Sequence, residues 1–353
     1  MSLDRYERIA VVGATGAVGR EAMGILAERG VAPGRVLALT SERSAGTAVG
    51  YGNGMVMTSK LTREALAGCD AALLCASAEV AREYAEDAAG AGVVVVDNSS
   101  AFRADPRVPL VVPEINGESI AGAKLIANPN CSTIIMLLAL NPLRERFGVA
   151  SITVSTYQAV SGAGLEALEE LREQTAGVLA GGVATPRVFA EPIAFNLFPH
   201  ESALDAETGM SGEEAKMISE SRRIWGDDSL AVFPTCVRVP VERAHSQSIV
   251  VELKRGATVE EVRGVLECAR GVEVMDPRDR HGFPTPRKAS GRDEVLVGRV
   301  RADPSGGGRR FGVWVCGDQL RKGAALNAVQ VLEEVARWRS GKMKKWQSGK
   351  VAK

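Results

Sequence analysis

Charge of one sign is missing from this chain: 43 basic and 43 acidic side chains among 353 residues cancel. That removes the electrostatic case for a nucleic acid or an anionic membrane surface as partner. Also missing is any apolar run near the roughly 20 residues that span a bilayer. Residues 1–8 have neither the apolar core nor the cleavage site of a secretory signal. The chain is therefore expected in the cytoplasm. Cysteines number six, at positions 69, 75, 131, 236, 268 and 316, and no two have CxxC spacing. That argues against a zinc site or a disulfide framework, so no metal is expected and the thiols are read as reduced. Histidines are scarcer still, at 200, 245 and 281 only, which keeps the search for a histidine acid or base short. There is no internal repeat and no long low-complexity segment.

What is present is an ordinary globular composition, 45% hydrophobic and 24% charged, in a length that suits two domains better than one. The first third alternates short, uniformly apolar runs with Ala-rich stretches. Ile9 to Val12, Val36 to Leu39, Ala71 to Leu74, Val93 to Val96, Leu110 to Val112 and Leu125 to Ala127 read as buried parallel strands. Helices fit between several of them, notably Arg20 to Arg29 and Val80 to Gly90. This βαβ rhythm predicts an α/β, Rossmann-type doubly wound parallel sheet. After position 131 the texture changes to longer alternating stretches, such as Ser151 to Tyr157, Val237 to Val241 and Ser248 to Leu253. Those predict a second, α+β domain with a mainly antiparallel or mixed sheet. Leu320 to Arg339 reads as a final helix, and Lys342, Lys344, Lys345, Lys350 and Lys353 mark a basic, solvated tail over 341–353.

Two places carry chemistry. Gly13-Ala14-Thr15-Gly16-Ala17-Val18-Gly19 lies between the first strand and the first helix. Glycines there let backbone approach a pyrophosphate, and the helix start supplies N–H donors; a tight turn without ligand is the bland alternative. Cofactor choice is usually read after the second strand, where Ser41, Arg43 and Ser44 can hold a 2′-phosphate and favour NADP(H), while Glu42 points the other way. The second place is Cys131, in Asn128-Pro129-Asn130-Cys131-Ser132-Thr133, where a loop meets the apolar run from Ile134. A helix start favours thiolate over thiol, and thiolate attacks carbonyl carbon. His245, between two strand patterns, can exchange a proton with such a thiol. Arg238 is a candidate carboxylate clamp. Taken singly, an inert core cysteine, a structural histidine and a surface arginine are the commoner outcomes.

Together with Asp97-Asn98-Ser99-Ser100-Ala101-Phe102-Arg103, Val112-Pro113-Glu114-Ile115-Asn116, Tyr157-Gln158-Ala159-Val160-Ser161-Gly162-Ala163-Gly164, Arg238-Val239-Pro240-Val241, His245-Ser246 and Arg321-Lys322-Gly323-Ala324-Ala325, these segments resemble the aspartate-β-semialdehyde dehydrogenase family in order and spacing, from about Ile9 to about Val331. The resemblance implies NADPH-dependent reduction of L-aspartyl-4-phosphate to the semialdehyde, with release of inorganic phosphate, through a thioester on Cys131. It implies His245 as acid/base and Gln158 as the group that orients the acyl carbon or its oxyanion. Arg238 would grip the substrate carboxylate and Glu213 its ammonium group, while Arg103, Lys216 and Asn130 would hold phosphate. Gly13, Thr15, Gly16, Ala17, Val18, Ser41, Arg43, Ser44, Ser161, Gly162 and Gln319 would face the cofactor. It also implies domains at 1–130, completed by a C-terminal helix at about 320–340, and at 131–319. The second domain would pair two chains into a homodimer, or four into a homotetramer, in the biosynthesis of lysine, methionine and threonine.

Departures from the family pattern are local. Cys75-Ala76-Ser77-Ala78-Glu79 replaces a Gly-Gly turn, Gln319 stands for asparagine, Ala244 for glycine and Gln247 for glutamate. Two other readings are weighed against the first: a related acyl-phosphate reductase such as N-acetylglutamyl-phosphate reductase, and a nucleotide-binding paralogue without turnover that serves regulation or assembly. Arg238 and Glu213 favour a free amino acid as substrate, and the Cys131, His245 and Gln158 set favours an enzyme.

Overall fold

The computed structural model describes residues 2–339, so the basic tail expected at 341–353 lies outside the described residues. The chain runs β1 (Ile9–Val12), α1 (Ala17–Glu28), β2 (Val36–Thr40), the pair β3 (Ala48–Tyr51) and β4 (Gly54–Met57), β5 (Ser59–Lys60), α2 (Arg63–Ala67), β6 (Ala71–Leu74), α3 (Ala78–Gly90), β7 (Val94–Asp97), α4 (Pro113–Asn116) and β8 (Leu125–Ala127). It continues with α5 (Cys131–Phe147), β9 (Val149–Gln158), α6 (Leu165–Leu179), β10 (Phe198–Pro199), α7 (Gly212–Trp225), β11 (Ala231–Arg238), β12 (His245–Leu253), α8 (Val259–Glu267), β13 (Val272–Val274), α9 (Pro286–Ala289), β14 (Val295–Ala302), β15 (Arg310–Gly317) and α10 (Leu326–Arg339). Two compact units result, residues 2–15, 22–128 and 327–339 in one and 16–21 and 129–326 in the other.

The first unit is a six-stranded parallel sheet in the order β5-β2-β1-β6-β7-β8. β1, β6 and β7 are buried at every position, as strands covered on both faces must be. β1 is the strand from which the order runs both ways, and the crevice beyond the carboxyl ends at such a reversal is where ligands bind in open α/β sheets. The glycine-rich turn after β1 stands at this point. Leu110 to Val112 is not a strand: Leu110 makes a single bridge to Ala127, and the next two residues lead into α4. The three are buried as deeply as strand residues (3%, 0% and 0% exposed), so apolarity alone suggested a strand.

The second unit is built on a seven-stranded mixed sheet, β10-β11-β9-β12-β15-β14-β13. β11 runs parallel to β9 and β13 to β14, while the other neighbours are antiparallel. Helix α5 is apolar nearly all round, with Ile134, Ile135, Met136, Leu137 and Leu140 fully buried, and it packs on β9, β12, β14 and β15. The predicted final helix begins differently: residues 321–325 form a π-helical turn, with Ala325 N–H reaching Leu320 O and Gly323 N–H reaching Asp318 O, before α10. Short π segments recur at functional sites. Among the described residues no helix is long and apolar enough to cross a membrane, and no cluster of three His, Cys, Asp or Glu side chains could hold a metal.

Candidate active site

Strand register gathers the polar groups of the second unit. Arg238, the last residue of β11, pairs with Gln158, the last residue of β9. β12 runs antiparallel on the other side of β9, so its first residue, His245, arrives at the same end, opposite Gly317 of β15. Three side chains far apart in sequence thus emerge within neighbouring strands.

Cys131 is the first residue of α5, and its Sγ lies 3.4 Å from His245 Nε2. Asn130 caps the helix: its Oδ1 accepts from Ser132 N–H and Thr133 N–H at 2.9 and 3.2 Å. Two amides that might have met a thiolate are therefore already taken, and what the helix start still offers the sulfur is its dipole. Gly323 of the π turn packs against the nucleophile so tightly that a Cβ there would come within 2.9 Å of Cys131 Cβ.

His245 is completely buried, and burial, helped by the Arg238 charge, pushes its pKa down to about 3. The ring is neutral. Its Nδ1 accepts a hydrogen bond from Ala159 N–H at 3.0 Å, so the single ring proton sits on Nε2, facing Cys131. In this tautomer the imidazole donates toward sulfur. Gly162 leaves room for the ring, since a Cβ there would stand 3.3 Å from His245 Cε1.

Glu213 is the hub of the remaining set. Its carboxylate accepts from Asn130 Nδ2 at 2.7 Å, Gln158 Nε2 at 3.3 Å and Lys216 Nζ at 3.3 Å. Burial works against the Glu213 charge, but His200, Lys216 and the Asn130 amide outweigh it and hold the carboxyl down at about 2. The i,i+3 spacing on α7 does bring Lys216 beside Glu213, with the lysine half-buried. Gln158 also donates to Ser132 Oγ at 3.0 Å, tying β9 to the start of α5. Asn130, expected to face phosphate, is engaged by the cap and by Glu213, and its own N–H is held by Glu220 at 2.6 Å.

Arg238 is 3% exposed and enclosed by protein groups. Glu201 accepts from its Nη2 at 2.7 Å and its Nε at 3.4 Å, Ala159 O accepts from Nη1 at 3.1 Å, His200 Nε2 lies 2.9 Å from Nη2, and the guanidinium stands over the Phe189 ring. Neither Glu201 nor His200 was singled out from sequence, because a lone Glu and His in a loop carry no motif. Ser161 and Gln319, expected at the cofactor, bond to each other at 2.6 Å, and Gln319 Oε1 accepts from Ala244 N–H at 2.7 Å. This pins Ala244, which holds a left-handed φ of 72° just before His245. Below it, buried Asp318 accepts from Arg243 Nε at 2.6 Å, and Arg243 in turn donates to Glu21 at 2.8 Å.

Comparison with known proteins decides the kinship. Residues 8–123 match the model of the semialdehyde dehydrogenase NAD binding domain, and residues 140–322 that of the semialdehyde dehydrogenase dimerisation domain. An aspartate-semialdehyde dehydrogenase of Synechocystis is 43% identical over 330 residues, covering 92% of this chain and 96% of its own length. One from Aquifex aeolicus is 44% identical, covering 92% and 97%. The chain belongs to the aspartate-semialdehyde dehydrogenase family. Its fold agrees with the crystal structure of aspartate semialdehyde dehydrogenase II from Vibrio cholerae complexed with ASA, at a TM-score of 0.89 and 42% identity over 94% of this chain and 98% of that one.

Membership makes residues 8–123 the nucleotide-binding part of an aspartate-semialdehyde dehydrogenase, and the residues there suit that task. Gly13 has a φ of 80°, and a Cβ there would meet the Cys75 carbonyl oxygen at 2.4 Å, so the first glycine of the turn answers to packing against the end of β6. Thr15 Oγ1 bonds Thr40 Oγ1 at 3.3 Å, fixing the turn to the end of β2. Gly16, Ala17 and Val18 lead into α1. Ser41, Arg43 and Ser44 follow β2 in a short helical turn, the first two exposed, while Glu42 pairs with Lys60 at 2.9 Å instead of with Arg43. Arg103 donates to Asn98 O at 2.8 Å and Asn128 O at 2.9 Å, just beyond the carboxyl ends of β7 and β8.

Proposed function

We propose that this chain catalyses the NADPH-dependent reductive dephosphorylation of L-aspartyl-4-phosphate to L-aspartate 4-semialdehyde through a thioester on Cys131. The observation that carries the reading is the Cys131–His245 pair, 3.4 Å apart at the start of a buried helix. The sulfur, held as thiolate by the helix dipole and by the Nε2–H of His245, attacks the acyl carbon; a C–S bond forms and phosphate leaves with the electron pair of the broken C–O bond. Bound nicotinamide supplies the hydride that reduces the thioester. The alkoxide left by that reduction collapses to the aldehyde, the C–S bond breaks, and sulfur departs as thiolate stabilised by the hydrogen bond from the same Nε2–H of His245. Gln158, its Nε2 held by Ser132, Thr156 and Glu213, lies beside the nucleophile's helix and is assigned to orient the acyl group there.

Arg238 grips the α-carboxylate and Glu213, charged at neutral pH, the ammonium group. Arg103 and Lys216 serve the phosphate, and Asn130 can add only the second Nδ2 proton, the one not given to Glu213. The cofactor is assigned to the Gly13, Thr15, Gly16, Ala17 and Val18 turn, with Ser161, Gly162 and Gln319 toward its nicotinamide end. Ser41, Arg43 and Ser44 receive the 2′-phosphate, supported by the diversion of Glu42 to Lys60. A relative from Candida albicans, 25% identical with a TM-score of 0.71, is described with NADP. Residues 1–130 with the C-terminal helix form the cofactor domain and 131–319 the catalytic and dimerisation domain, in a cytoplasmic homodimer or homotetramer that serves the synthesis of lysine, methionine and threonine.

The test is phosphate-dependent NADP reduction with L-aspartate 4-semialdehyde, run beside N-acetylglutamate semialdehyde and the Cys131→Ser variant. Turnover of the free amino aldehyde that disappears in Cys131→Ser is expected. Activity on the acetylated aldehyde alone, or in the serine variant, overturns the assignment.

A further inference from the structure

Arg238 already holds a carboxylate. A guanidinium has five N–H donors. Glu201 takes the Nε and one Nη2, a second Nη2 faces His200, and Ala159 O takes one Nη1. One N–H remains, on the Nη1 that a Gly162 Cβ would approach at 3.6 Å, which is the side of His245. A substrate carboxylate gripped by two parallel N–H bonds has to take at least one donor now committed elsewhere.

Of the groups around this arginine, Glu201 is the one built to yield. Arg238 itself is packed over Phe189 and tied to backbone at the end of β11. Ala159 O belongs to the backbone that also seats His245. The Glu201 side chain is 27% exposed and stands in a loop just after β10, where rotation carries it into water. Left without a partner, the buried guanidinium would carry an unpaired charge, which is costly. A resident carboxylate removes that cost until another arrives.

We infer that Glu201 is an internal carboxylate that competes with the α-carboxylate of the substrate for Arg238, so that substrate entry exchanges one carboxylate for the other. The inference rests on Arg238 being the carboxylate grip of the proposed reaction. It makes Glu201 a specificity-determining residue: a small aldehyde without a carboxylate cannot displace it, and a substrate with one replaces an equivalent pair of hydrogen bonds.

The experiment measures KM for L-aspartate 4-semialdehyde and for inorganic phosphate separately, in the wild-type chain and in Glu201→Gln, Glu201→Ser and Glu201→Asp. Removing the competing charge is expected to lower the aldehyde KM about fivefold in the Gln and Ser variants, the scale of a partly exposed ion pair. The phosphate KM should stay near wild type, and Asp, which keeps the charge, should hold the aldehyde KM near wild type. An aldehyde KM unchanged or raised in the Gln and Ser variants, with wild-type melting temperatures, overturns the exchange and makes Glu201 an idle or supporting partner. No turnover of this aldehyde by the wild-type chain defeats instead the functional reading beneath it.

Discussion

The site residues assigned in the two units differ in exposure. In the second, His245, Gln158, Glu213 and Arg238 are buried, and each is held by at least one protein partner. In the first, Ser41 and Arg43, which follow β2, stand exposed. Fixed dipoles in a dry site stabilise developing charge without reorganising, whereas exposed donors act through a screened, adjustable contact. The difference teaches where chemistry and where cofactor selection reside: damage to Cys131 and His245 should appear in kcat, damage to Arg238 and Glu213 in the KM of the aldehyde as well, and damage to the exposed set in cofactor KM.

The sharpest break is Cys131→Ser, which should lower kcat on the order of 10³-fold or more and abolish acyl-enzyme mass on residue 131, read by intact-protein mass spectrometry. If oxygen in place of sulfur preserves turnover, the covalent route is lost and with it the contrast. Next comes His245→Gln, expected to cost about 10²–10⁴-fold in kcat with little change in NADPH KM. Gly323→Ala should cost about 10²-fold in kcat by displacing the nucleophile, because the new Cβ would meet Cys131 Cβ at 2.9 Å. The smallest effect belongs to the exposed side: Arg43→Ala should raise NADPH KM about tenfold, leave kcat near wild type and narrow the preference over NADH. An equal loss with both cofactors would remove Arg43 from the 2′-phosphate.

Acid should act on the buried groups of the second unit. Burial lowers the folded pKa of His245 to about 3 from the ordinary 6.5, so below pH 6.5 the unfolded chain binds the proton first and stability falls as pH drops toward 3. Glu213, lowered to about 2 from 4.5, adds stability above pH 4.5 that is lost on the way down to 2. His245→Gln should therefore flatten the decline between pH 6.5 and 3 by up to about 1.4 kcal/mol per pH unit, measured by urea unfolding across that range.

Much of this was legible in the chain. Uniform apolar runs marked β1, β2, β6 and β7, because a strand buried on both faces has no alternation to obscure it. The loop-to-helix junction at Cys131 is readable from the apolar run that begins at Ile134, and the position of His245 from the strand patterns on either side of it. The run at Leu110 to Val112 misled because a buried loop and a buried strand share a composition. The β3–β4 hairpin is short and mostly exposed, so no apolar run announces it, although Tyr51 pairs with Gly54 across Gly52-Asn53, with Gly52 at a φ of 56°, a recognisable two-residue turn. Glu201, His200 and the links from Gln319 to Ala244 and from Asp318 to Arg243 depend on contacts between elements, and no spacing announces those. The π turn at 321–325 was read as ordinary helix, since a one-residue widening leaves no periodic trace.

Register has one further consequence. Arg238 faces Gln158 across one strand pair, and His245 enters on the opposite flank of β9. A slip of β11 or β12 by a single residue would turn its reactive side chain to the other face of the sheet. Competence is therefore all or none with respect to sheet assembly. A partly zipped chain presents no weakened version of the site, and recovery of turnover during refolding should lag until the last of these three strands has locked into place.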